Sequence, residues 1–345
     1  MPPAKPALKS VKVLQNKQQL CSLRYSRCGK LLAGGTFEGT ILRWDAESLT
    51  EMPPIKGHNG WVQSLAFHPD GKRLFSADSW GRITCWNYLD PMSQPIWSVA
   101  DAHNGWIHSI ANSPDGKALA SVGRDKILRL TSAENGAAMH TSITADDAFA
   151  VAFHPSGKFV VTGDLKGLIQ VWDAATGKVA RTFDAAAMYL KDRIQDVGGV
   201  RCLTFDEKGE TLIAGGSKPK SGGFVEGSLQ ILFFDWSTGK LKHSIVGTAA
   251  TEGYVQDLHW HSEGYVMAVH SGQPGNGKVF FQRPAEAQPW LTQAGMTNAH
   301  ALTLHPAGKR LAVSGTNANS AGNGRPSGKD YPGNFSPVHV FEMPE

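Results

Sequence analysis

Short apolar segments alternate with polar turns along the whole chain, and one combination of them recurs. An apolar strand is followed by a Pro-x-Gly-Lys turn and then by a second strand of small and apolar residues, most clearly over 61–77 (WVQSLAFHPDGKRLFSA). The other copies lie at 106–121, 147–162, 298–314, 21–35, 200–216 and 255–271. Short alternating strands joined by a glycine turn predict β-hairpins. The chain therefore contains seven copies of one β unit.

The spacing of the copies predicts how they are arranged. Successive turn glycines lie 41 to 55 residues apart, at Gly29, Gly71, Gly116, Gly157, Gly209, Gly264 and Gly308. A period of about 40–45 residues with four strands per unit is typical of a propeller blade. Because one blade cannot bury its faces alone, the units are expected to stack into a ring. We predict an all-β fold, a seven-bladed β-propeller of four-stranded antiparallel blades, forming a single domain over residues 8–345.

The two ends of the chain indicate how this ring closes. Residues 1–7 are rich in proline and are predicted to be a disordered tail, whereas residues 9–14 (KSVKVL) alternate like a half-buried strand. The last copy supplies only three strands before residue 345. Since a closed ring leaves no open sheet edge, the N-terminal strand is expected to join the last blade.

Aromatic residues near the end of the third strands indicate a family. Trp44-Asp45 and Trp172-Asp173 are Trp-Asp pairs, and Gly57-His58 precedes the second unit. With the repeat period, these residues resemble the WD40-repeat family over essentially the whole chain. The resemblance implies that Asp, His, Ser or Thr, and Trp side chains form a hydrogen-bonded set within each blade.

In this sequence the polar set is expected to be incomplete in every blade. In the second unit Trp80 stands where the aspartate is expected, and in the third unit Thr131 replaces the tryptophan. The other members of these two sets are His58, Ser76, Trp86, His103, Ser121 and Asp125. We therefore expect apolar packing between blades to contribute more stability than the polar sets.

Composition and charge exclude several classes of partner. The 34 Lys and Arg residues are spread among 30 Asp and Glu residues, whereas a nucleic-acid surface needs clustered basic residues. No stretch approaches the length of a membrane span, and the start of the chain has no apolar signal segment. The four cysteines form no CxxC motif, so we expect reduced thiols. We expect a cytoplasmic protein with no cofactor, no bound metal, and neither a nucleic-acid nor a membrane partner.

The resemblance also implies which face binds partners. In WD40-like propellers the loops from strand four to the next strand one share a face, called the top, with the turns between strands two and three. Aligning strand one of the units gives two top-facing positions in each: Gln19 and Cys21, Trp61 and Gln63, Trp106 and His108, Asp147 and Phe149, Gly199 and Arg201, Tyr254 and Gln256, and Asn298 and His300. Trp, Phe, Tyr and Arg are typical of interface hot spots. The alternative for Trp61 and Trp106 is a structural role at the channel mouth.

Long insertions are predicted on the same face. They occupy 184–199, with a short helix expected at 185–191, and also 216–228, 271–278 and 315–337. Long loops in a compact domain are typically functional or disordered. In the last insertion, Arg325, Tyr331 and Phe335 are the residues expected to become ordered on a partner.

Signals for catalysis and metal binding are weak. Residues 272–279 have the spacing of a phosphate loop but lack its final Ser or Thr, and a strand follows where a helix is required. His68, His154 and His305 each precede a proline and are expected to cap or pack bottom-face turns of separate blades. His259, His261 and His270 lack an acidic ligand at fixed spacing, which disfavours a zinc site.

Two functions from different classes remain open. The first is a non-enzymatic scaffold, a monomeric ring within a larger assembly, that binds a protein or peptide on its top face. Its expected contact residues are Trp61, Gln63, Trp106, His108, Asp147, Phe149, Arg201, Tyr254, Gln256, His300, Arg325, Tyr331 and Phe335. The second is a propeller hydrolase or lactonase at the channel mouth, with Asp147, His108, His300 and Arg201 as its polar candidates.

Overall fold

The computed structural model of the protein describes residues 6–90, 94–221, 226–273, 275–317 and 334–344. Within these ranges the chain forms seven four-stranded antiparallel sheets and one two-stranded hairpin. The seven sheets are the blades of a propeller, which confirms the predicted fold. No helix in the described ranges is long and apolar enough to cross a membrane.

The first strand is β1 (Lys9–Leu14), and blades 1 to 3 follow it in chain order. Blade 1 consists of β2 (Leu20–Tyr25), β3 (Leu31–Thr36), β4 (Thr40–Asp45) and β5 (Glu51–Lys56). Blade 2 consists of β6 (Val62–Phe67), β7 (Arg73–Asp78), β8 (Ile83–Asn87) and β9 (Pro95–Val99). Blade 3 consists of β10 (Ile107–Asn112), β11 (Ala118–Gly123), β12 (Ile127–Ser132) and β13 (Ala138–Ile143).

Blades 4 to 7 complete the ring. Blade 4 consists of β14 (Ala148–Phe153), β15 (Phe159–Asp164), β16 (Leu168–Asp173) and β17 (Val179–Asp184); a 3-10 helix (Ala186–Met188) and the hairpin β18 (Tyr189–Asp192) and β19 (Gln195–Gly198) follow. Blade 5 consists of β20 (Val200–Phe205), β21 (Thr211–Ser221), β22 (Glu226–Asp235) and β23 (Leu241–Val246). Blade 6 consists of β24 (Tyr254–His261), β25 (Tyr265–Ser271), β26 (Lys278–Gln282) and β27 (Leu291–Gln293). Blade 7 contains β28 (Ala301–Leu304), β29 (Arg310–Ser314) and β30 (Val338–Glu342).

The fourth strand of blade 7 is β1, as predicted. It pairs antiparallel with β30, from Lys9 opposite Glu342 to Leu14 opposite Val338. Leu8 and Leu14 are buried, one in the core between blades 6 and 7 and the other in the core between blades 7 and 1. The N-terminal strand therefore seals the ring by both hydrogen bonds and apolar packing.

Burial within each blade follows the residue types of its strands. The second strands consist of small and apolar residues and are buried, whereas the fourth strands are mostly exposed. Small residues also let neighbouring blades approach closely: a Cβ on Gly35 would lie 2.3 Å from the Val62 carbonyl oxygen of the next blade. Each apolar cluster of the core joins two adjacent blades, as the one formed by Leu31, Ile41, Val62 and Trp86 does between blades 1 and 2.

The polar set of blade 2 is complete, which corrects the expectation from the sequence. His58 Nδ1 lies 2.8 Å from Asp78 Oδ2, His58 Nε2 lies 2.6 Å from Ser76 Oγ, and Trp86 Nε1 donates to the same hydroxyl at 2.7 Å. The carboxylate comes from Asp78, two residues before Trp80. Burial alone would raise the pKa of Asp78, but hydrogen bonds from His58 and two backbone amides lower it.

In blade 3 the set lacks its tryptophan, as expected. His103 contacts Asp125 at 3.0 Å and Ser121 at 2.7 Å. Thr131 takes the tryptophan position, and its buried hydroxyl has no hydrogen-bond partner among the described residues. Blade 4 keeps only one contact of the set, from Trp172 Nε1 to Thr162 Oγ1 at 3.0 Å.

The three histidines that precede proline cap their turns, as expected, and also connect neighbouring blades. His68 Nδ1 accepts from the Asp70 amide, and the same cap occurs at His154 and His305. On the other side of each ring, Nε2 donates to a turn glycine of the following blade. These contacts are His68 to Gly116 at 2.7 Å, His154 to Gly209 at 3.0 Å and His305 to Gly29 at 2.9 Å.

The insertions take forms that the sequence predicted only in part. The helix expected over 185–191 is a single 3-10 turn, because Tyr189–Asp192 is extended and pairs with Gln195–Gly198. The insertion at 216–228 lengthens β21 and β22 into a ribbon whose tip, 222–225, lies outside the described residues. Of residues 315–337, only 315–317 and 334–337 belong to the described ranges, and residues 1–5 of the predicted tail lie outside them as well.

Candidate functional site

The second position of each predicted pair lies on the axis of the ring. Strand one is the innermost strand of every blade, and all seven side chains line one cavity of about 390 Å³. They are Cys21, Gln63, His108, Phe149, Arg201, Gln256 and His300. We call these seven residues the inner ring. They close the upper part of the channel with mainly polar groups.

The loops around this cavity meet on one face. The Ser79 amide of the turn after β7 donates to the Trp61 carbonyl at 3.0 Å, and the Arg124 backbone amide donates to the Trp106 carbonyl at 2.9 Å. The turns between strands two and three therefore adjoin the loops that lead into strand one. This is the arrangement that the resemblance implied for the top face.

Aromatic rings contact one another along the mouth of the channel. The Trp61 and Trp106 ring centroids are 5.1 Å apart, and Phe37 lies 4.6 Å from Trp61 on the other side. Trp106 then contacts His108 at 6.3 Å. Trp61 and Trp106 each keep 37% of their surface exposed, so neither residue is a buried plug.

The same chain of contacts continues across blades 4 to 6. His108 lies 4.7 Å from Phe149, and the Arg201 guanidinium lies 3.9 Å from the Phe149 centroid and 5.0 Å from that of Tyr254. We call the whole series the aromatic arc: Phe37, Trp61, Trp106, His108, Phe149, Arg201 and Tyr254. It runs without a break from blade 1 to blade 6.

Two members of this surface were missed in the sequence. Trp80 is 67% exposed in the turn after β7, and a Cβ on Gly60 would lie 2.6 Å from its Cδ1 atom, which places Trp80 against Gly60, the residue before Trp61. The sequence assigned Trp80 to an aspartate position, but Asp78 supplies that carboxylate and leaves Trp80 on the surface. Phe37 occupies the matching turn of blade 1, and its position between strands two and three was the available signal.

Charged and titratable groups at the mouth are few. Asp147 Oδ1 lies 3.3 Å from His108 Nε2, and deeper in the channel Arg24 contacts Asp257 at 2.7 Å. His300 Nδ1 donates to the Asn298 carbonyl at 3.0 Å, and burial lowers the pKa of His300. A neutral His300 that donates through Nδ1 presents Nε2 as an acceptor.

The histidines of blade 6 do not converge. His259 lines the channel, His261 stacks on Tyr265 at a centroid distance of 4.4 Å, and His270 donates to the Glu252 carbonyl at 3.0 Å. Within the described ranges there is no group of three or more His, Cys, Asp or Glu side chains that could hold a metal ion.

The expected contact residues of the last insertion are placed only in part. Arg325 and Tyr331 lie outside the described residues. Phe335 is described, and its backbone pairs with Asn317 at 2.9 Å. This pairing holds the two ends of the insertion together just before β30.

Two protein-family models match segments of this chain that lie in its blades. The family model described as WD domain, G-beta repeat matches residues 49–87 and 140–173. The model of the anaphase-promoting complex subunit 4 WD40 domain matches residues 91–151. Together these matches cover parts of blades 1 to 4.

Individual relatives are similar to only part of this chain. WD repeat and FYVE domain-containing protein 2 of Caenorhabditis briggsae is 33% identical over 92 residues, 26% of this chain and 22% of the relative. Set1 complex component swd1 of Schizosaccharomyces pombe is 24% identical over 193 residues, 49% and 46% of the two chains. Pre-mRNA-processing factor 19 of Caenorhabditis elegans is 24% identical over 159 residues, which are 45% of this chain and 32% of the relative. The chain spans less than half the length of each of these relatives.

Proposed function

Since the chain belongs to the WD40-repeat family, we propose that it is a non-enzymatic scaffold that binds a partner protein or peptide on the top face of its propeller. The observation that carries this proposal is the aromatic arc. Three tryptophans beside the channel mouth, Trp61, Trp80 and Trp106, are exposed to solvent at 37%, 67% and 37%. A monomeric protein seldom exposes neighbouring large aromatic residues that have no partner.

The arc has the properties of a binding surface rather than of a loosely packed loop. Trp61 and Trp106 immediately precede the first strands of blades 2 and 3, and each ring contacts the next. Side chains held in this way lose little conformational entropy when a partner binds. Tryptophan and arginine are also the residues that most often contribute large binding energies at interfaces.

The relatives support a protein partner. One is named as a component of the Set1 complex, and another as a pre-mRNA-processing factor. We extend from these names only the class of ligand, a protein, and propose a monomeric ring within a larger assembly. A cytoplasmic location is part of the proposal, because all four cysteines are free thiols and a reducing compartment preserves such thiols.

The alternative of a hydrolase at the channel mouth has less support. Of its four polar candidates, only His108 and Asp147 contact each other, while Arg201 is stacked on Phe149 and His300 bonds to a backbone carbonyl. A divalent-metal assay tests it. Stoichiometric metal in the wild type that is lost in His300→Ala would favour the hydrolase over the scaffold.

The scaffold proposal is tested by affinity capture from the native cell lysate. Wild type is compared with the double variant Trp61→Ala, Trp106→Ala, after their melting temperatures show that both are folded. Truncating a tryptophan hot spot costs about 2 kcal/mol or more of binding free energy. We therefore expect the double variant to bind the partner more than about thirtyfold more weakly and to fail to capture it.

A matched control removes apolar surface elsewhere. Val179 and Leu241 are 48% and 53% exposed on the outer strands of blades 4 and 5. The variant Val179→Ala, Leu241→Ala should capture the same partner as wild type. If all three proteins capture the same set, the top-face tryptophans do not bind the partner and the proposal is wrong.

A further inference from the structure

Arg201 differs from every other member of the inner ring. The remaining six members are two glutamines, two histidines, a cysteine and a phenylalanine, so Arg201 carries the only permanent charge among the seven. It enters from the first strand of blade 5 and lines the cavity at the channel mouth. The mouth of the channel is therefore positive at one defined point.

Among the described residues this guanidinium has no acidic partner. In the ranges that the structure describes, no carboxylate oxygen lies within 4.0 Å of it. Asp147 at the rim contacts His108, and Asp257 lower in the channel contacts Arg24. Burial lowers the pKa of Arg201, while Tyr254 and Asp147 oppose that shift. A partly buried cation without a counter-ion is costly, and a ligand that supplies the counter-ion removes this cost.

The neighbouring rings determine the sign of the ligand. Phe149 and Tyr254 could together hold a cation by their faces, but the Arg201 guanidinium already occupies that place at 3.9 and 5.0 Å. A cationic side chain from a partner would meet Arg201 instead of the rings. A guanidinium stacked on a ring by its face can still bind a carboxylate at its edge in a bidentate manner.

The rest of the inner ring contains no acidic residue. Burial raises the pKa of the Cys21 thiol to about 12, so this group stays neutral. Gln63 and Gln256 add amide groups to the lining, and Gln256 Nε2 donates to Ser271 at 3.1 Å. A cavity of about 390 Å³ is large enough for one side chain with its ordered water.

We propose that Arg201 binds a carboxylate of the partner polypeptide, inserted into the inner ring while adjacent apolar residues of the partner lie on Trp61, Trp80 and Trp106. This inference rests on the proposed function and specifies the partner's chemistry. The carboxylate comes either from an internal Asp or Glu side chain or from the C-terminus of the partner.

An array of short peptides of random sequence tests the inference and separates the two sources. Each peptide is synthesised as twins: one pair differs only by an internal Glu or Gln, and the other only by a free or amidated C-terminus. Because a bidentate carboxylate contact is a strong charge-assisted bond, wild type should bind the carboxylate form of the best peptides about tenfold more tightly than its twin. The pair that shows this preference identifies the source.

Variants assign the preference to Arg201. We expect Arg201→Gln to bind both twins equally, and Arg201→Lys to keep part of the preference because the charge remains. The double variant Trp61→Ala, Trp106→Ala should bind both twins more weakly and keep the ratio of their affinities. The comparison of twin peptides uses wild-type protein alone, so the inference remains testable if Arg201→Gln does not fold.

Two results overturn the inference. One is equal binding of carboxylate and amide twins, or no peptide binding at all, by wild type. The other is a preference that persists in folded Arg201→Gln. If the lysate partner is lost by the tryptophan variant but kept by Arg201→Gln, the scaffold proposal stands and only the carboxylate inference fails.

Discussion

Thr131 and Thr162 are two buried threonines whose hydroxyls differ in hydrogen bonding. Both are buried, but Thr131 has no hydrogen-bond partner among the described residues, whereas Thr162 accepts from Trp172 at 3.0 Å. Because an unsatisfied buried hydroxyl is costly, we expect Thr131→Val to raise the free energy of unfolding by about 1 kcal/mol. Denaturant unfolding of wild type and variant measures this change.

The matched control is Thr162→Val, which makes the same chemical change at a satisfied site. It leaves the Trp172 N–H without an acceptor and should lower the free energy of unfolding by about 1–3 kcal/mol. If both variants lower the free energy of unfolding, the Thr131 hydroxyl is hydrogen-bonded in the folded protein and the prediction is wrong.

Asp78 and Asp164 occupy the same position in blades 2 and 4 and should respond to pH in opposite ways. Hydrogen bonds lower the pKa of Asp78 below its usual 3.8, whereas burial raises the pKa of Asp164. Since the folded-state pKa of Asp78 is lowered, its stabilisation is complete above about pH 4 and is lost as the pH falls through the folded value. Asp78→Asn should therefore destabilise at pH 7, and the deficit should shrink below pH 4.

For Asp164 the sign is reversed. A raised folded-state pKa means that the ionised form is disfavoured in the folded protein, so stability falls as the pH rises above the unfolded value of 3.8. Asp164→Asn should be at least as stable as wild type at pH 7. Unfolding midpoints at pH 7 and pH 3 decide both cases, and a similar deficit for the two variants would contradict the assignment.

At this scale the sequence predicted positions better than partners. The alignment of strand one selected these seven residues as top-facing positions, and the structure places all of them on one cavity, because strand period fixes which side chains share a direction. It did not predict that Asp78 bonds to His58, since a carboxylate two residues earlier in a turn can reach the same atom. The stacking of Arg201 between Phe149 and Tyr254 depends on the distance between three blades, which no local pattern contains.

Among elements, the bottom turns join one blade to the next. Gly116 and Gly308 have the same left-handed backbone, with φ of +76° and +72°. A Cβ on Gly116 would lie 2.5 Å from His68 Nε2, whereas beyond its chain neighbours no atom of the described residues would lie within 4 Å of a Cβ on Gly308. His68 is held by bonds at both ring nitrogens and cannot move aside. We expect Gly308→Ala to cost about 1–2 kcal/mol from backbone strain alone, and Gly116→Ala about 1–3 kcal/mol more.

Thermal or denaturant unfolding of the two alanine variants checks this difference. Adding His68→Ala to Gly116→Ala should remove most of the extra cost, because the clash is with that ring. Equal costs for Gly116→Ala and Gly308→Ala would mean that the histidine bridge does not constrain the turn.

The strands were predictable, and the insertions were not. The strand over Lys9–Leu14 was found with its exact bounds because alternation and turn residues are local signals. The alanines at 185–187 favoured a helix by propensity, but Tyr189–Asp192 finds a pairing partner in Gln195–Gly198 after the turn at Arg193, whose φ is +56°. Pairing across such a turn outweighs the weak propensity of a short segment.

For the whole molecule, stability depends on the closure of the ring by β1. Deleting residues 1–15 removes the partner of β30 and the buried side chains of Leu8 and Leu14. Each buried leucine contributes about 2–5 kcal/mol, so we expect the melting temperature to fall by on the order of 10 °C or more. Calorimetry should show the loss in the entire transition, because every blade is packed between two others.

A deletion of residues 1–5 alone serves as the control. It leaves β1 and Leu8 in place, and its melting temperature should equal that of wild type. If the variant lacking residues 1–15 melts at the wild-type temperature, a ring whose seventh blade has only three strands and an open edge is as stable as the closed ring.

The pairing of β1 with β30 also sets the order of events during synthesis. Of the described strands, β1 leaves the ribosome first and β30 leaves it last. At about 5–20 residues per second, the first strand waits for roughly 15–70 s before its partner exists. Earlier blades can stack in that time, but the ring cannot close until translation has passed residue 342. A nascent chain that stalls earlier keeps unpaired strand edges, which make it prone to aggregation.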